Sequence, residues 1–171
     1  TSLWERYPNE MQRILAQHDQ LVTRCIENHG GRVIKHTGDG FFTIFDTGTP
    51  LDCALEIQCQ IAQANWAPAD ELRIRLALHS GTAEKRGEDY FGVDINRTAR
   101  LLSAGWGGQI LLTDDVLKST ELPEGATLED FGKHLLKDLG ELQHIYGLLG
   151  PALPFSEFPP LRTLSQRNHN L

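Results

Sequence analysis

The chain has 171 residues, 40% of them hydrophobic and 23% charged, which suits one soluble domain with a real core. Its net charge of -7 argues against nucleic acid as a partner, because phosphate backbones recruit basic faces. A nucleotide substrate remains compatible, since it arrives with a divalent cation that acidic residues can hold. No apolar run reaches the length of a membrane span and no signal peptide is visible, so no membrane partner and a cytoplasmic location are expected. Opening on Thr1 rather than Met, the chain is expected to be a piece of a longer one. Cys25, Cys53 and Cys59 lie in apolar helical patterns, which predicts buried free thiols and a reducing compartment.

In chain order, apolar residues at Trp4, Tyr7, Met11, Ile14, Leu15, His18, Leu21, Val22, Cys25 and Ile26 step by threes and fours. That stripe predicts helix from Leu3 to His29, with Pro8 at an early turn or kink and Gly30-Gly31 as the stop. A hairpin over Arg32–Phe45 follows, and Thr49-Pro50 opens a helix to about Asn65. Leu72–His79 alternates as a strand, and Gly81–Gly92 reads as a polar loop. Val93–Ala104 is predicted as helix and Gln109–Thr113 as a short strand. Asp114-Asp115 can cap a helix through Ser119. Leu128–Leu136 and His144–Leu149 pair as final antiparallel strands. The stretch 150–171 is Pro-rich with little periodicity and reads as a linker. The fold class is therefore α+β, one sheet with helices mainly on one face.

Two constellations stand out for chemistry. Asp39 sits between Gly38 and Gly40 at the tip of the hairpin. Hairpin chemistry alone makes it a turn aspartate, yet the flanking residues are apolar and the glycines would admit a ligand or metal close to the backbone. Lys35, four residues earlier, reads by itself as a solvated strand lysine. In "EDYFGVDINRTARLL", Asn96 and Arg100 are spaced i, i+4 and so share a helix face, from which both can donate to phosphate oxygens. Asp89 is a loop acid just ahead of them. The seven histidines show no metal-ligand spacing, and no Ser/His/Asp arrangement is evident.

The segments "LWERYP", "HGGRVIKHTGDGFFTIF", "LRIRLALHSG", "DYFGVDINRTARLL", "GGQILLT" and "HLLKDL" occur in this order and spacing in class III adenylate/guanylate cyclase catalytic domains, of the bacterial adenylate type. The chain resembles that family over residues 1–149. The resemblance implies a ferredoxin-like cyclase core with an antiparallel-rich sheet. It implies that Asp39 is one of two aspartates holding two Mg²⁺ or Mn²⁺ ions. The other would lie on a first strand ahead of Thr1, absent from this chain, so the piece itself is expected to be deficient as a catalyst. Lys35 and Asp89 resemble the pair that reads adenine, which implies ATP as substrate. Asn96 resembles the asparagine that orients the ribose, Arg100 the arginine at the α-phosphate, and Lys137 a contact to the terminal phosphates. The implied reaction forms 3′,5′-cyclic AMP and pyrophosphate at sites shared across a homodimer. The tail resembles junctions that lead to a regulatory ATPase module. The competing expectation is a catalytically silent cyclase-like module that binds ATP or dimerises within a larger regulator. An unrelated α+β binding domain would leave the Lys35, Asp39, Asp89, Asn96 and Arg100 set as coincidence.

Overall fold

A computed structural model describes residues 2–37 and 40–164. The chain divides at Arg73/Ile74 into two compact units.

The first unit, residues 1–73, is built on two helices. The apolar stripe forms helix, but in two pieces: α1 spans Ser2–Arg6 and α2 spans Met11–Asn28. The break falls at residues 7–10, where Pro8 lacks an N–H and cannot continue a helical ladder. Trp4 in α1 remains 43% exposed, so the stripe's first member is not core. Helix α2 buries Met11, Ile14, His18, Leu21, Val22, Cys25 and Ile26. Its end is closed by Gly31 N–H donating to the Ile26 carbonyl at 2.9 Å, with Gly30 at φ +88°. Strands β1 (Arg32–Thr37) and β2 (Gly40–Ile44) form an antiparallel hairpin with a register shift between Val33 and Lys35. A Cβ on Gly31 would lie 2.6 Å from the Phe45 ring, so only glycine lets the hairpin base close here. Pro50 at the first turn opens α3 (Pro50–Gln63), whose Leu51, Cys53, Ala54, Ile57 and Ile61 are buried and which packs on α2. Cys25 and Cys53 are buried as expected, whereas Cys59 is only half-buried, and none of the three is in a disulfide. Burial pushes Cys25 up to about 11 and Cys53 up to about 12, which makes them inert packing residues.

The second unit, residues 74–171, holds a four-stranded sheet in the order β3-β6-β8-β7. Its strands are β3 (Leu76–Leu78), β6 (Ile110–Thr113), β7 (Thr127–Leu135) and β8 (Leu142–Leu149). β3 runs parallel to β6, and the β6–β8 and β7–β8 pairs are antiparallel. The strand expected over Leu72–His79 is thus shorter. Its pairing is limited by β6, whose four residues start opposite Leu76. The stretch expected as a polar loop contains a hairpin instead, β4 (Glu84–Arg86) with β5 (Asp89–Phe91), turning at Gly87 with φ +64°. Helices α4 (Val93–Ala104) and α5 (Asp114–Ser119) form as expected, although Thr113 rather than an aspartate occupies the N-cap of α5. Leu101 and Ala104 of α4 join Leu111, Leu136, Ile145 and Leu161 in one buried cluster. The fold is α+β and antiparallel-rich, as the sequence implied, but among the described residues the strands form three sheets, β1-β2, β3-β6-β8-β7 and β4-β5, rather than the one sheet expected, because the two hairpins pair only within themselves.

Candidate active site

Helix α4 is positioned by charge rather than by apolar packing alone. Gly92 precedes it at φ +144°, a conformation that side chains rarely adopt, and the helix starts at the next residue. Asp94, in the first turn, accepts from His79 Nε2 at 2.7 Å, from Thr82 N–H at 2.9 Å and from Arg97 Nη1 at 2.9 Å. The His79 side chain is 1% exposed, and its Nδ1 lies 2.7 Å from the Thr113 hydroxyl. A carboxylate only accepts, so Nε2 carries hydrogen; in the neutral ring Thr113 then donates to Nδ1. The ends of β3 and β6 and the start of α4 are tied through one imidazole. Burial pushes the Asp94 carboxyl up, but the bonds from His79 and Thr82 and the nearby His79 and Arg97 charges outweigh it, leaving the pKa lowered. A Cβ on Gly81 would lie 2.2 Å from the Asp94 carboxylate, so that glycine is what permits the approach. At the other end of α4, Arg75 Nη1 donates to the Leu102 carbonyl at 3.4 Å.

So held, α4 presents Asn96 and Arg100 one turn apart on its open side. The Asn96 side chain is exposed, and its carboxamide makes no hydrogen bond among the described residues. Arg100 Nη2 donates to Asp138 Oδ2 at 2.9 Å, with the arginine 39% and the aspartate 63% exposed. At that exposure the pair is weak and salt-screened, so an incoming phosphate can compete with Asp138 for the guanidinium. Lys137 is the neighbour of Asp138, in the turn between β7 and β8. Arg100 and Lys137 line one cavity of about 330 Å³, a ligand-sized space.

Among the sequence-predicted residues, the second unit therefore brings Arg100 and Lys137 together, with Asn96 a helical turn away. Asp89 opens β5 in the hairpin leading into α4; it is half-buried, and its Oδ1 accepts from the Tyr90 N–H at 2.8 Å. Lys35 belongs to the first unit, exposed on β1 with its Nζ 5.8 Å from the Phe42 ring centroid. Asp39 lies outside the described residues. His79, Asp94, Arg97 and Asp138 escaped the sequence reading. The available signal was an acid in the first turn of a predicted helix, which favours the helix dipole; its histidine partner lies 15 residues away.

Among the described residues, no group of three or more His, Cys, Asp or Glu side chains could hold a metal ion. Asp39 has the hard-oxygen chemistry that Mg²⁺ and Mn²⁺ take. The described residues do not by themselves make a metal site. No helix among them is long and apolar enough to cross a membrane.

The family model for the adenylate and guanylate cyclase catalytic domain matches residues 1–149. An uncharacterized protein of Mycobacterium tuberculosis is 37% identical over 169 residues, covering 95% of this chain and 56% of that protein. The chain thus spans about half the length of this relative. An adenylate cyclase of Schizosaccharomyces pombe is 26% identical over 180 residues, covering 86% of this chain and 11% of that enzyme. Among solved structures, a Trypanosoma brucei adenylate cyclase in its monomeric state superposes with TM-score 0.83 at 22% identity, covering 96% of this chain and 90% of that one. An adenylate/guanylate cyclase/hydrolase from Silicibacter pomeroyi superposes at 0.73 with 25% identity, covering 85% of this chain and 88% of that one. From its sequence and its fold alike, the chain belongs to the family of adenylate and guanylate cyclase catalytic domains.

Proposed function

We propose that this chain is the catalytic domain of an adenylate cyclase that converts ATP to 3′,5′-cyclic AMP and pyrophosphate at sites shared between two copies of the chain. The observation that carries the reading is the open side of α4, where Arg100 stands beside Lys137 in a ligand-sized cavity of a cyclase-family domain. In this reaction the ribose 3′-oxygen attacks the α-phosphorus, and the bond to the bridging oxygen of the β-phosphate breaks. Arg100 donates to the α-phosphate oxygens as charge develops there, from a position set by the Asp94 bonds before the reaction. Asn96 orients the ribose, and Lys137 takes the terminal phosphates. Lys35 donates to adenine N1 and Asp89 accepts from the exocyclic amine; guanine presents a carbonyl and an N–H there and would leave both groups mismatched. Divalent Mg²⁺ or Mn²⁺, held in part by Asp39, would supply charge neutralisation when bound.

The test uses the full-length protein with ATP or GTP and Mn²⁺ or Mg²⁺, reading cyclic nucleotide formed. Cyclic AMP should exceed cyclic GMP by at least about 100-fold in kcat/KM, the discrimination expected when polar groups that close on the base match one base and stay unpaired against the other. Comparable turnover would remove the base assignment. Sharing of the site is read by mixing Asp39→Ala and Arg100→Ala proteins, each inactive alone. With random exchange, half the dimers are mixed and each has one intact site, so activity returns to about one quarter of wild type. An inert mixture with verified exchange would overturn the shared site.

A further inference from the structure

Beyond β8, the described residues 160–164 pack against their own unit. Leu161 is 3% exposed and inserts into the cluster of Leu101, Leu111 and Ile145. Thr163, also 3% exposed, has its hydroxyl 2.9 Å from His134 Nδ1. His134 Nε2 donates to the Phe131 carbonyl at 2.7 Å, so in the neutral ring Nδ1 accepts and Thr163 donates. Between these anchors the Arg162 N–H donates to the carbonyl of Ala104, the last residue of α4, at 2.9 Å. The Arg162 guanidinium carbon lies 3.5 Å from the Trp106 ring centroid, and the Trp106 indole N–H donates to the Pro160 carbonyl at 3.1 Å. The order buried, exposed, buried over Leu161, Arg162 and Thr163 sends the arginine to the side opposite its anchors. Arg162 and Thr163 thereby line the same 330 Å³ cavity as Arg100, Ser103, Leu136 and Lys137.

We propose that Arg162 is a third cationic contact for phosphate in this cavity, so that residues 160–164 complete a site for a polyphosphate anion. Among the described residues, three cationic side chains and no carboxylate line this space, and Asp138 pairs with one of the three, Arg100, in a chain whose net charge is -7. Neither Arg162 nor Lys137 has a carboxylate partner among the described residues, so their charge is not spent internally. Stacking on the indole holds the guanidinium by its face and leaves the N–H groups on its edge to donate. The anion has two sources, the terminal phosphates of a nucleoside triphosphate and free pyrophosphate. The choice between them rests on the cyclase reading; the site does not.

Titration calorimetry of the full-length protein with inorganic tripolyphosphate tests this, comparing wild type with Arg162→Gln, Arg162→Lys and Arg100→Ala. Glutamine keeps a planar group over Trp106 and removes the charge. Arg162→Gln should weaken binding about tenfold, the order expected for one charge-assisted contact, and should flatten its salt dependence. Arg162→Lys should fall between, with thermal melts checking that each variant keeps the fold. Tripolyphosphate that binds Arg162→Gln as tightly as wild type, or that fails to bind wild type at all, overturns the proposal. If Arg162→Gln raises KM for ATP with kcat held, the source is the substrate; if it only relieves inhibition by pyrophosphate, the source is the free anion. Arg162-dependent binding in a protein that forms no cyclic nucleotide leaves this site standing and removes the cyclase reading. Turnover of ATP with binding indifferent to Arg162 does the reverse.

Discussion

The α2–α3 pair of the first unit and the leading end of α4 in the second are held by different forces. Between α2 and α3 the contact is mainly apolar: Met11, Ile14, Leu21, Val22 and Ile26 lie on one helix, Leu51, Ile57 and Ile61 on the other, with buried thiols among them and one polar pair, His29 at the end of α2 with Glu56 of α3, beside them. Such a contact is non-directional and weakens in proportion to the volume removed. The start of α4 hangs instead on one carboxylate and one buried imidazole, each using a specific atom at 2.7–2.9 Å. That arrangement fails when one atom changes, because the partners left behind are unpaired. The apolar pair sets stability, and the polar hub sets where Asn96 and Arg100 point.

Substitutions at four positions sharpen or break this contrast. The largest effect belongs to Arg100→Ala. In the proposed reaction this variant removes a preorganised donor from the developing charge and should lower kcat by about 100- to 1000-fold. Its side chain is 39% exposed and its ion pair weak, so the melting temperature should hardly move. A stability loss comparable to the activity loss would make Arg100 a structural residue.

Next comes Ile14→Ala in α2, where the side chain is fully buried. Chemical denaturation should show a loss of about 2–5 kcal/mol. Ile14→Val should cost about 0.5–1.5 kcal/mol, the graded response of an apolar contact. Equal losses for the two would mean that shape, not volume, governs the helix pair.

Asp94→Asn should cost about 1–3 kcal/mol near neutral pH, through charged hydrogen bonds lost at His79, Thr82 and Arg97. Turnover should fall with it, since the same helix carries Arg100. The Asp94 pKa is lowered in the folded state, so its stabilising contribution is complete above the ordinary carboxylate value. It disappears as pH falls through the lowered folded-state value. The gap between wild type and Asp94→Asn should therefore close toward acid pH; a gap that stays constant would show that the charge is not what matters.

The smallest effect is expected at Arg32. Its ion pair with Asp46 is 2.7 Å long, but the side chains are 50% and 71% exposed. Arg32→Ala should cost less than about 1 kcal/mol and lose even that at high salt. A larger, salt-insensitive loss would show that polar contacts also organise the first unit.

The sequence was most legible where one period ran long enough. The stripe of α2 and the bounds of α4 and α5 followed from spacing and stop residues, and the β7–β8 pair from apolar alternation. It was least legible between residues 81 and 92. There β4 and β5 are three residues each, Glu84–Arg86 is wholly exposed, and no apolar face announces a strand. Pairing supplies the strand instead, Glu84 opposite Phe91 and Arg86 opposite Asp89. The extent of β3 was likewise decided by its neighbour: residues 72–75 alternate as a strand should, but the regular ladder with β6 starts at Leu76 opposite Ile110, and ahead of it Ile74 accepts a backbone bond from Gly108.

By itself the sequence determined the residue types of the proposed site, the i, i+4 spacing of Asn96 and Arg100 in α4 and the family of the chain, because these are properties of order along the chain. Tertiary structure alone decided that His79 would hold Asp94, that Asp138 would occupy the Arg100 guanidinium, and that Arg162 would reach the cavity of Arg100 and Lys137. Each joins residues 15 to 62 positions apart in the chain. No local periodicity encodes such distances; they exist only once apolar burial has brought the strands and α4 together.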